Sequence, residues 1–141
     1  MTSPKRQAYA LLRLTVGVDM LMHGLTRIGS GVEKFVATTV GEFQATILPE
    51  PLVHGFALVL PFVEGLLGLV LILGLFTRGA LICGSLLMIT LVFGTALRSE
   101  WNTVGLQLLY AAIYYLLLTH VEHNGYAVDS LRRNDRATTE L

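Results

Sequence analysis

Long apolar runs alternate along this chain with short polar breaks. Four stretches reach the roughly 20 mostly apolar residues that a helix needs to cross about 30 Å of hydrocarbon: about 9–28, 52–76, 79–97 and 104–121. The second is the plainest. Between Leu52 and Phe76 the Leu, Val, Ile and Phe residues contribute roughly −8 kcal/mol to membrane insertion, against about +3 kcal/mol for Glu64. The first is closer to balance, because its leucines and valines supply only roughly −3 kcal/mol, which Asp19 alone would offset. That helix is expected to be stable only with its polar side turned towards neighbouring helices. The pattern predicts an all-α membrane protein, a bundle of four transmembrane helices.

Two connections carry structural information. In the first, about 29–51, Phe35, Thr39, Phe43 and Ile47 recur every four residues, with Val36 and Val40 beside them and Glu33, Lys34, Glu42 and Gln44 opposite. This predicts a short amphipathic helix at the outer membrane surface or capping the bundle, ended by Pro49 and Pro51. The second, around Thr77–Arg78–Gly79, is tight and makes helices two and three antiparallel neighbours. A polar, flexible tail is expected from about residue 130.

Composition strengthens the membrane reading. The 141 residues are 53% hydrophobic and 14% charged, against roughly 25% charged in ordinary soluble domains. They suffice for one domain. Ten basic and ten acidic residues leave a formal net charge of zero, so no field recruits nucleic acid. Cys83 has no cysteine partner and reads as a small buried hydrophobe. The first apolar run is interrupted by Arg13, Asp19 and His23 and has no small-residue cleavage site, so it reads as a retained helix. Lys5, Arg6, Arg13, Arg78, Arg132, Arg133 and Arg136 fall on one side of the four-span layout and Arg27, Lys34 and Arg98 on the other, which places both termini in the cytoplasm.

Ionisable groups at membrane depth carry a cost and need a reason. Thr15, Asp19, His23 and Arg27 follow at four-residue steps, a polar ridge on helix one. Counting 1.5 Å per residue, Arg13 lies about 8 Å and Glu64 roughly 12 Å from the inner boundary, so the two are expected to meet as an ion pair. Such groups either fix helix register or line a cavity for a polar headgroup or a proton path. In helix four Tyr110 and Tyr114 share a face with Gln107, and either pack or line a site for an aromatic ligand. Trp101 reads as an interfacial anchor. Gly65, Gly68 and Gly84 read as close-approach points between helices. His120 and His123 at the inner boundary make a poor metal signature, and no metal or haem is expected.

A further set of residues runs Leu12-Arg13-Leu14, Gly17, His23-Gly24 and Arg27, then Glu64-Gly65, Gly68 and Leu73-Gly74-Leu75-Phe76-Thr77-Arg78, and ends with Gly125-Tyr126-Ala127-Val128-Asp129. In their order and spacing, over about residues 10–131, the chain resembles the DoxX family of small four-helix membrane proteins. The resemblance implies one DoxX-like domain over 1–141 in the bacterial cytoplasmic (inner) membrane. It relates the chain to DoxD, the small membrane subunit of thiosulfate:quinone oxidoreductase, and implies that Arg13, His23 and Glu64 belong to the family's polar core.

Two functions follow as expectations. In the first, the chain is a quinone- or quinol-interacting subunit of a redox complex. His23 hydrogen-bonds a carbonyl oxygen, Glu64 or Asp19 exchanges the proton, and Arg13 sets the carboxylate's charge. Arg27, Gln107, Tyr110 and Tyr114 complete the site, while a partner subunit supplies the redox centre. In the second, the chain is a non-catalytic membrane anchor or assembly subunit whose polar residues only set helix packing. Lipid and either a redox partner or a second copy of the chain are the expected partners.

Overall fold

The computed structural model describes residues 3–130. Five α-helices follow in order: α1 (Pro4–Gly29), α2 (Val32–Phe43), α3 (Glu50–Leu73), α4 (Thr77–Leu97) and α5 (Trp101–Thr119), with a 3-10 turn at Val121–His123. The polar tail expected from about residue 130, with Arg132, Arg133 and Arg136, lies outside the described residues. Asp129, at its start, is bonded to the first turn of α4.

α3, α4 and α5 are long and apolar enough to cross a membrane. α1 has the length, at 26 residues, but its charged residues keep it below the same apolarity, so among the described residues three helices and not four meet that standard. Polarity is distributed as lipid dictates. Leu66, Leu86, Ile89, Leu109 and Phe93 face outward, whereas Arg13 and Glu64 are each only 2% exposed. A soluble domain buries its leucines and solvates its charges; outward leucines around buried charges, on helices that pair their own backbone, mark a multi-pass membrane protein.

The bundle is built from two helix pairs, α1 along α3 and α4 along α5, with α2 lying across α3. Glycines set the first pair. A Cβ on Gly68 would run into the Leu21 backbone, one on Gly24 into the Pro61 and Gly65 backbone, and one on Gly17 into Ile72. With little hydrophobic drive between helices in lipid, this backbone approach supplies the dispersion contact that holds them together. Across the bundle, Gly84 on α4 leaves the notch that the Tyr114 ring fills.

Several boundaries differ from the sequence reading. α3 stops at Leu73 and not at Phe76, because Gly74 turns left-handed at φ 64° and Leu75 N donates to Val70 O at 3.1 Å, a glycine-terminated end. Pro61 is buried within α3 without ending it. α2 turns Val36, Phe35 and Val40 towards the bundle and Glu33 and Lys34 away from it, but it ends at Phe43. Ile47, expected on its apolar face, is 85% exposed. Cys83, expected to be buried, faces outward from α4, where lipid serves an apolar thiol as well as a core does.

Candidate functional site

The antiparallel register of α1 and α3 decides which polar residues meet. Gly24 lies against Gly65 and Gly17 against Ile72, so Arg27 arrives at the level of Glu64. The two form an ion pair through Arg27 Nη1 and Glu64 Oε2. The expected Arg13–Glu64 pair does not form. Arg13 sits four turns nearer the other end of α1, beside Gly74 at the α3–α4 turn, because the register that sets Gly17 against Ile72 carries it past the end of α3.

Arg13 belongs to a second polar cluster. Its Nη1 donates to Asn124 Oδ1 at 2.7 Å and its Nη2 to Tyr126 O at 2.7 Å, while Asn124 Nδ2 donates to Thr77 Oγ1 at 2.8 Å. From the same segment Asp129 accepts from Phe76 N and Thr77 N, both at 2.8 Å. A carboxylate there satisfies the open N–H groups of α4 and complements its dipole. It also supports Phe76, whose φ of 47° is uncommon for a bulky side chain. The segment 124–129 therefore clasps the start of α1 to the α3–α4 turn, and Arg13 is a structural member of that clasp.

The candidate site lies between α1, α3, α4 and α5: a cavity of about 250 Å³ with Asp19, His23, Arg27, Glu64, Gln107 and Tyr110 as its main polar lining. Met20, Met88, Leu91 and Leu106 supply most of its apolar wall. The ridge read from helix one thus does face a cavity from Asp19 to Arg27. Thr15, its first member, is exposed and bonds back to Leu11 O.

Each polar wall residue is held in place. His23 Nδ1 is 3.0 Å from Asp19 O and 3.4 Å from Asp19 Oδ2. Asp19 Oδ2 is buried and, among the described residues, has no hydrogen-bond partner. The Tyr110 hydroxyl approaches the Asp19 carboxylate. Gln107 is tethered to α4, its Oε1 lying 2.7 Å from Thr95 Oγ1. α2 reaches the site through Arg27, whose guanidinium lies 4.7 Å from the Phe35 ring. Arg98, at the end of α4, holds the far end of α2 through Glu42 at 2.9 Å and the Phe43 ring at 5.3 Å.

Six of the eight residues singled out from the sequence, Asp19, His23, Arg27, Glu64, Gln107 and Tyr110, therefore line one cavity. Arg13 and Tyr114 do not. Tyr114 is fully buried in the Gly84 notch with its hydroxyl unpartnered among the described residues. Thr95, which orients Gln107, went unnoticed because a threonine in an apolar helix carries no signal of its own. Among the described residues no group of three or more His, Cys, Asp or Glu side chains is placed to hold a metal ion.

No curated protein and no solved structure is a significant match to the chain. The family model for DoxX matches residues 8–98, more than half of the 141 residues, over the segment that builds α1 to α4 and carries Arg13, Asp19, His23, Arg27 and Glu64; the chain belongs to the DoxX family.

Proposed function

We propose that this protein is an integral membrane subunit of a redox complex and holds the headgroup of a quinone or quinol in the cavity between α1, α3, α4 and α5. The observation that carries the reading is the lining itself. Four ionisable or imidazole side chains, an amide and a phenol converge on one apolar-walled space in a bundle whose outer surface is hydrocarbon. Such groups at membrane depth mark substrate or proton pathways more often than not. About 250 Å³ lies just under the usual 300–1,000 Å³ of drug-sized sites, which suits a single ring whose chain leaves between helices into lipid. Asp19 and Glu64 exchange protons with the headgroup, and a partner subunit carries the redox centre.

In the same reading α1 is the fourth span. It is long enough at 1.5 Å per residue and shields its charges by packing along α3. Both termini then face the cytoplasm of a bacterium and α2 lies at the outer membrane surface over the cavity. The rival reading, a membrane anchor without chemistry, draws support from the Arg27–Glu64 pair, which suffices to fix the register of α1 on α3.

The test is the pair of variants Glu64→Gln and His23→Ala in native membranes. Quinone reduction is expected to fall by at least tenfold in each while the partner subunit stays associated. Unchanged reduction in both variants overturns the redox reading in favour of the anchor.

A further inference from the structure

The hydrogen-bond polarity of the cavity wall follows from three local relationships. The first concerns His23. Its Nδ1 lies 3.0 Å from the Asp19 backbone carbonyl, which can only accept, so Nδ1 carries the hydrogen. In the neutral ring Nε2 is then a bare acceptor. The second concerns Asp19, whose buried Oδ2 has no hydrogen-bond partner among the described residues. At 3.4 Å the His23 Nδ1 is beyond good hydrogen-bond range. An acceptor buried without a donor is costly and implies one that arrives from elsewhere.

The third concerns Gln107. Thr95 Oγ1 lies against both Leu91 O and Gln107 Oε1, two acceptors for one hydroxyl hydrogen. Two hydroxyls further along α4 than its first turn show where that hydrogen goes: Ser85 and Thr90 each donate to the carbonyl four residues back, at 2.8 and 3.1 Å. Thr95 does the same with Leu91. The contact with Gln107 is then satisfied only if the amide is turned over, with Nε2 donating to Thr95 Oγ1 and Oε1 released towards the cavity. The two amide orientations occupy the same space, so the hydrogen-bond network decides between them.

We infer that the cavity, read as above as a quinone/quinol site, recognises the reduced, hydroxyl-bearing headgroup in preference to the oxidised dione. Asp19 Oδ2, His23 Nε2 and Gln107 Oε1 all present lone pairs. A hydroquinone brings two O–H donors to them, whereas a quinone brings two more acceptors and leaves the lining unpaired. On the donor side, Arg27 is engaged by Glu64 and covered by Phe35, and the Tyr110 hydroxyl is directed to the Asp19 carboxylate. A site built for a donor discriminates strongly against the analogue that lacks it. Thr95 is the positioning residue that sets the Gln107 orientation.

The experiment compares a short-chain benzoquinone with its hydroquinone, each titrated anaerobically by calorimetry into the full-length protein in lipid nanodiscs. The hydroquinone is expected to bind about tenfold or more tightly, the scale of one net hydrogen bond. Thr95→Val should bring the ratio down severalfold, and Thr95→Ser should restore it, an effect that loss of packing alone does not predict. Should Thr95→Val fold poorly, Gln107→Leu reads the same ratio. Equal binding, or tighter quinone binding, overturns this inference and leaves the proposed site standing. Binding of neither molecule overturns both. A Thr95→Val ratio equal to that of the unaltered protein overturns the orientation assigned to Gln107.

Discussion

Arg27 on α1 and Glu64 on α3 pair at one wall of the cavity, and the pair exists because glycines bring the two helices into backbone contact one turn away. Glu64 is almost wholly buried, whereas the Arg27 side chain keeps 26% of its surface exposed. Removing one member of a buried pair strands the other. Glu64→Leu is expected to destabilise the protein by about 2 kcal/mol, at the low end for buried pairs because Arg27 is partly accessible. The double variant Arg27→Met/Glu64→Leu should recover most of the loss. Thermal unfolding in a single detergent measures both, and a double variant as unstable as Glu64→Leu contradicts the pairing.

The helix contacts predict an uneven response to adding one methyl group. Gly68→Ala places a Cβ against the backbone of Leu21, which cannot move aside as a side chain can. A loss of about 2–3 kcal/mol is expected. Gly55→Ala, in the same helix, meets nothing within 4 Å and should be neutral or stabilising by a few tenths of a kcal/mol. Unfolding of the two variants side by side checks the register of α1 on α3.

Asp129 is expected to matter more than a residue so near the end of a chain usually does. Asp129→Ala leaves Phe76 N and Thr77 N without the carboxylate they share. The cost should be about 1–2 kcal/mol, the range for a lost helix cap. Hydrogen exchange should rise first in the opening turn of α4 and at the α3–α4 turn, and much less in α5.

The four-span arrangement can be read by labelling from either side of intact cells. In a Cys83→Ser background, Glu33→Cys on α2 should react with a membrane-impermeant maleimide added outside, and Arg78→Cys only after the membrane is opened. Labelling of both from outside puts the two positions on one side and rules out α3 as a span between them.

The alternation of apolar runs and polar breaks was enough to establish an all-helical membrane protein, with helix limits correct to a few residues. A helix that faces lipid needs only a greasy exterior, which composition records directly. The ridge of Asp19, His23 and Arg27 was legible for a related reason: a charge at membrane depth requires an interior to face. The partners of those charges were not legible. Distance from a helix's own end does not say how far that helix slides along its neighbour, and the glycine contacts set Glu64 level with Arg27 and not with Arg13.

The sequence by itself determined the solvent, the secondary structure and which residue types had to turn inward, because each follows from local transfer energies and periodicity. Tertiary structure alone decided which of them meet. Close packing at Gly17, Gly24 and Gly68 set the register that joins Arg27 to Glu64, the return of Asn124 and Asp129 drew Arg13 into a clasp, and Thr95 on α4 tethered Gln107 beside the cavity. Those choices depend on contacts between residues far apart in the chain, whose geometry no local pattern encodes.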